Sequence, residues 1–188
     1  MRKIGLDVDG VLCNFPEGLI AMAAECGLAD RFPASWKDVD HYFIASGGDA
    51  AAFNQVFAGI KHSTEFWLKL KPLPYCAPLD FVPDCYITSR PVDTWITEQW
   101  LWLWRFPRAP VFTVRDHKDK LIHILDRKLD LFVDDYYPTV EYLLENGANA
   151  VLYAAPYQRG HAVDHLPTIS HLSQVKSYDP EELPTNGR

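Results

Sequence analysis

Two aspartates one residue apart, Asp7 and Asp9 in the stretch DVDG, close an apolar run made of Ile4, Leu6 and Val8. If that run is extended, its apolar side chains share one side and the two carboxylates share the other. Carboxylates so placed repel each other unless a cation or a shared proton relieves them. Gly10 follows at once, and a glycine lets the chain turn sharply and bring backbone close to whatever sits there. Three more stretches join an apolar run to polar groups: YITSR with Thr88 and Ser89, RDHKDK with Lys118 and Lys120, and LFVDD with Asp134 and Asp135. Brought together they supply acidic metal ligands, hydroxyl donors and one ammonium. Magnesium takes a few carboxylates together with water and substrate phosphate oxygens. A hydroxyl and a lysine would hold the phosphoryl oxygens as charge grows on them. Lys118 is the expected lysine, because it stands three and four residues before Leu121 and Ile122 and so starts a helix on its apolar side.

These groups act together only if the fold gathers them. Five short apolar stretches read as strands: KIGLDV, DCYITS, APVFTV, LDLFVDD and ANAVLYAA. Helical spacing lies between them, at Thr94–Arg105 after the N-cap Asp93, at Lys118–Lys128, and at Thr139–Asn146 before Gly147. The alternation predicts an α/β fold, a Rossmann-like parallel sheet with helices on both faces. In such sheets ligands bind outside the carboxyl ends of the strands, where Asp7, Thr88 and Asp134 fall. Residues 17–73 break the alternation with helical runs at Glu17–Cys26 and Asp49–Ile60. They read as a small helical cap inserted after the first strand, leaving 1–16 and 74–172 as the core and 173–188 as a polar tail.

Composition narrows the partners. A chain of 188 residues with a formal net charge of -7 is poorly suited to gripping a nucleic-acid duplex by charge alone. A small phosphorylated ligand needs only a local positive site. Cys13, Cys26, Cys76 and Cys85 show no CxxC spacing, so a reduced, cytoplasmic setting is the simpler expectation. The oily stretch from Trp95 to Phe106 is too short and interrupted to span a bilayer. Its tryptophans, Trp95, Trp100, Trp102 and Trp104, suit mainly packing on the sheet, or else a homodimer contact.

In order and position, DVDGV, Thr88, a lysine before the fourth strand and VDD resemble the four motifs of the haloacid dehalogenase superfamily of phosphotransferases. The resemblance implies Asp7 as nucleophile and Asp9 as the acid that protonates the leaving oxygen and then the base that activates water. It implies Mg2+ held by Asp7, the backbone carbonyl of Asp9 and Asp134, with Asp135 orienting a metal-bound water, and Thr88, Ser89 and Lys118 at the phosphate. STEFWLKLKPLPYCAPLD leading into CYITSRP, with DVDGVLCNF, is similar to the 5'(3')-deoxyribonucleotidase family. That closer likeness implies a nucleotide substrate, whose base would stack on a ring. Phe15, Tyr42, Phe43, Phe66 and Trp67 are the candidate rings, and Arg90 and Arg159 are candidate substrate contacts. The helix between the lysine motif and VDD departs from the nucleotidase pattern. Two alternatives stay open: a phosphatase for another small organic phosphate, and a phosphate-binding regulatory protein without turnover.

Overall fold

The computed structural model describes residues 2–35, 50–74, 76, 78–155, 158 and 163–178. Its strands are β1 (Ile4–Leu6), β2 (Cys85–Thr88), β3 (Val111–Thr113), β4 (Leu131–Asp134), β5 (Ala150–Tyr153) and β6 (Thr168–Ile169). They form one sheet in the order β3-β2-β1-β4-β5-β6, and every pairing is parallel. The five expected strands are all present. β6 is an addition, too short to announce itself by periodicity.

The helices are α1 (Phe15–Glu25), α2 (Ala50–Ile60), α3 (Thr64–Lys69), α4 (Thr94–Leu103), α5 (Lys120–Arg127) and α6 (Tyr137–Glu145). Alternate strand residues divide the core in two. Leu6, Tyr86, Leu131, Val133 and Val151 pack with residues of α1, α3 and α4. Cys85, Ile87, Phe132 and Leu152 pack with Ile124 of α5 and Val140 and Leu143 of α6. Helices therefore cover both faces of the sheet.

Helices α1 to α3 lie between β1 and β2 and share one core with the sheet. Asn14 closes the start of α1, its Oδ1 accepting from Glu17 N at 3.3 Å, and Ser63 Oγ accepts from Phe66 N at 3.2 Å to start α3. Phe15 stacks on Trp67 with ring centroids 5.4 Å apart and meets Phe57 and Phe66 edge-on. The expected polar tail begins later than residue 173, because a 3-10 turn at Leu172–Lys176 buries Leu172 and Val175 in the core. Only Trp100 of the α4 tryptophans is sheet-packing core; Trp95, Trp102 and Trp104 reach solvent. Among the described residues no helix is long and apolar enough to cross a membrane.

Gly5 sits in β1, at the middle of the sheet, where a Cβ would lie 2.6 Å from Leu129 Cδ1 and 2.9 Å from Phe132 Cδ2. Phe132 is fully buried and has little room to yield. Gly5→Ala should therefore cost about 1–3 kcal/mol by overpacking, measured as a lower urea midpoint with an unchanged slope.

Candidate active site

The order β2-β1-β4 sets three strand tips side by side, and the register Gly5 to Phe132 and Leu6 to Val133 carries Asp7 level with Asp134. Asp7 N donates to Val133 O at 2.9 Å, continuing the ladder one step past β1. Gly5, Asp7, Phe132 and Asp134 share the face covered by α5 and α6, so the first turn of α5 points at the two carboxylates. Lys120 opens that turn. Its Nζ lies 2.7 Å from Asp134 Oδ2 and 3.0 Å from Asp7 Oδ2, and its side chain is 0% exposed.

This overturns the expectation for Lys118. The inward side of α5 is Lys120 and Ile124, while Ile122 and Leu125 are more than half exposed. Lys118 belongs to a 3-10 turn, His117–Asp119, in which Asp116 Oδ1 accepts from Lys118 N at 2.8 Å. Its side chain lies outside, with Nζ 5.1 Å from the ring centre of Tyr142.

Asp7, Asp134 and Asp135 each bring a carboxylate oxygen within 4.8 Å of the others, and all three residues are buried. When all three are ionised they carry two more negative charges than the one ammonium offsets, in a buried site, which fits a divalent cation held by oxygen ligands. Burial, together with Asp134, Asp135 and Asp9, pushes the Asp7 carboxyl well above its usual range, against the pull of Lys120. Burial disfavours the Lys120 ammonium too, but Asp134 and Asp7 outweigh it and hold its pKa above the usual lysine value.

Asp9 leaves this cluster. The turn after β1 is closed by bonds from Leu12 N and Cys13 N to Val8 O, with Gly10 at φ 81°, a conformation glycine adopts without strain. The turn swings the Asp9 carboxylate away from Asp7 to meet Arg90, whose Nη2 donates to Asp9 Oδ1 at 2.7 Å. β1 ends at Leu6, before either aspartate, and the shared side expected for the two carboxylates does not form. Arg90 has a fully buried side chain committed to Asp9, so it is not the open substrate contact expected of it.

Thr88 ends β2 and Ser89 follows it. Thr88 Oγ1 accepts from Arg90 N at 3.3 Å, and Ser89 Oγ lies 3.4 Å from His117 Nε2. His117 sits at the rim, its ring 4.9 Å from that of Tyr136, and burial and the nearby Lys120 lower its pKa. Gln158 fixes the segment after β5, its Nε2 donating to Asp135 O at 2.7 Å and Tyr153 O at 2.8 Å. His117, Tyr136 and Gln158 had no signal in spacing; only the fold brings them here. A cleft of about 730 Å³ opens beside Ser89, with His62, Thr64, Thr94, Trp95, Thr113 and Arg115 in its wall.

The expected ring platform does not form from Phe15, Phe66 and Trp67. They are buried against one another in the core that α1 and α3 share with the sheet. Tyr42, Phe43 and Arg159 lie outside the described residues.

No family model matches the chain, and a search of curated proteins finds no match. Solved structures do match. A haloacid dehalogenase-like hydrolase from Streptococcus pneumoniae aligns over 95% of this chain and 98% of its own, at 12% identity and a TM-score of 0.62. The fold is haloacid dehalogenase-like. A predicted phosphoglycolate phosphatase from Haemophilus somnus 129PT has a TM-score of 0.56 at 12% identity, covering 94% of this chain and 97% of its own. A 2-haloacid dehalogenase from Pseudomonas syringae pv. tomato DC3000 has a TM-score of 0.53 at 17% identity, with 94% and 97% covered. At these identities the likeness is one of haloacid dehalogenase-like architecture, and the nucleotidase resemblance stays with the residues that carry it.

Removing Lys120 leaves two buried carboxylates uncompensated. Lys120→Met should cost about 3–5 kcal/mol at pH 7, whereas Lys118→Ala should change stability by less than about 1 kcal/mol. A carboxyl raised in the fold adds stability below its unfolded pKa and loses it as pH rises through the folded value. The Lys120→Met deficit should therefore shrink as pH is lowered toward 4, read by thermal unfolding in chelator.

Proposed function

We propose that this protein is a magnesium-dependent phosphomonoesterase working through an aspartyl-phosphate, with (deoxy)nucleoside monophosphates as its substrates. The observation that carries the reading is Lys120 joined to both Asp7 and Asp134 within a three-carboxylate cluster at the strand tips. Asp7, Asp134 and the backbone carbonyl of Asp9 would hold Mg2+, with Asp135 beside them. When bound, the ion supplies positive charge to the phosphoryl oxygens.

Lys120 pulls the Asp7 carboxyl toward its ionised form, and with the metal's charge added a carboxylate oxygen would attack phosphorus. As the Asp7–phosphorus bond forms and the ester oxygen leaves, Asp9 gives that oxygen its proton. Asp9 then takes a proton from water. The water oxygen attacks phosphorus, the bond to Asp7 breaks, and phosphate and both aspartates are regenerated. Thr88 and Ser89 would hold phosphoryl oxygens. Asp9 favours phosphoester over carbon–halogen substrates, because a departing alkoxide needs a proton and a departing halide does not.

The nucleotide preference rests on the DVDGVLCNF and STEFWLKLKPLPYCAPLD resemblance. The cleft beside Ser89 adds physical support, since it has room for a base and its wall includes the half-exposed indole of Trp95.

The primary test is a screen of nucleoside monophosphates, sugar phosphates and chloroacetate, with magnesium and with chelator. Nucleotide turnover that stops on chelation is expected; turnover indifferent to chelator would defeat the metal assignment. Asp7→Asn should fall below about a hundredth of the wild-type rate, since covalent attack has no substitute. Trp95→Ala should lower kcat/KM on nucleotides by about tenfold to a hundredfold, the worth of roughly 1–3 kcal/mol of stacking, while sparing a small generic phosphoester. Phe66→Ala, which opens the core, should damage both reactions alike.

A further inference from the structure

Asp9 stands on a turn whose backbone does not fix its side chain, and that side chain is 23% exposed. The Cys13 thiol, which also bonds to it, would by itself leave the carboxylate room to turn. It is instead gripped by a guanidinium through three bonds, Nε to Oδ1 at 3.1 Å, Nε to Oδ2 at 2.9 Å and Nη2 to Oδ1 at 2.7 Å. A planar fork holding both oxygens sets the plane of the carboxylate as well as its position.

The guanidinium is itself immobilised. Its carbon lies 5.2 Å from the ring centre of Trp67 and 5.0 Å from that of Trp100, so the cation lies against two indoles. Both rings are pinned. Trp67 Nε1 donates to Lys61 O at 3.1 Å and Trp100 Nε1 to Leu70 O at 2.8 Å. Nη1 is buried with no hydrogen-bond partner among the described residues, which leaves Asp9 as the anchor of the side chain's polar end. Trp67 comes from α3 and Trp100 from α4, so the grip on Asp9 depends on the two helices being docked.

We infer that Arg90 is a positioning residue for Asp9, a clamp set between an α3 indole and an α4 indole that fixes the plane of the Asp9 carboxyl group, which carries the proton for the leaving oxygen in the first half-reaction and is the carboxylate base toward water in the second. This rests on the phosphomonoesterase reading. It predicts that Arg90 acts on turnover only through Asp9, and most where the leaving oxygen most needs a proton.

The test is a cycle of wild type, Arg90→Met, Asp9→Asn and the double variant, assayed with magnesium on 4-nitrophenyl phosphate and on a simple alkyl phosphate. Proton transfer by a placed side chain contributes about 10²–10⁴-fold. Arg90→Met should therefore lower kcat on the alkyl ester about a hundredfold and on the nitrophenyl ester less than about tenfold, with KM little changed. In the Asp9→Asn background the same change should cost less than about threefold on either ester. Equal losses on both esters, or costs that multiply in the double variant, would mean that Arg90 only supports packing. If Arg90→Met does not fold, Arg90→Lys retains the charge without the fork and should show the same ester contrast; full activity in it overturns the clamp. A wild type inert on every phosphoester removes the phosphatase reading and the clamp together, whereas an active wild type with multiplying losses removes the clamp alone.

Discussion

One buried ammonium holds the candidate site together. Bringing Asp7 and Asp134 level on adjacent strands costs free energy twice, once in lost hydration and once in mutual repulsion. Lys120 offsets both by touching each carboxylate, and it reaches them because α5 begins where β3 has delivered the chain to the far side of the sheet. Neither the strand register nor the helix start has freedom to drift. A slip of one residue in β1 would turn Asp7 to the opposite face, and a shift of one residue in α5 would turn Lys120 outward.

That arrangement also explains what was readable beforehand. Hydrophobic runs mark the strands, so β1 to β5 were legible, and with them the tips that carry Asp7, Thr88 and Asp134. The phase of α5 was not. Reading a helix by its apolar side assumes that the inward residues are oily, and here an inward position belongs to a lysine while Ile122 and Leu125 face solvent. Charge pairing across the sheet overrode periodicity, and no local pattern reports a partner supplied by another strand.

The aromatic residues teach a related lesson. Phe15, Phe66 and Trp67 have the composition of a ligand platform and the packing of a core. Rings spent on an interior are unavailable to a ligand. The meeting of Asp9 with Arg90 was equally hidden, since it is a contact between two strand ends and not a spacing along either.

The central place of β1 has a bearing on how the chain acquires its shape. Gly5 pairs with Cys85 and Ile4 with Leu131, so β1 has neighbours that come much later along the chain. Parallel pairing of this kind closes long loops before it is rewarded, which slows folding. Until β4 is made, β1 lacks one of its flanking strands and its unpaired N–H and C=O groups are open to other partners. During that interval the charge of Asp7 and Asp9 at its tip works against intermolecular strand pairing. The residues that give the mature protein its candidate chemistry would then also guard the nascent chain against aggregation.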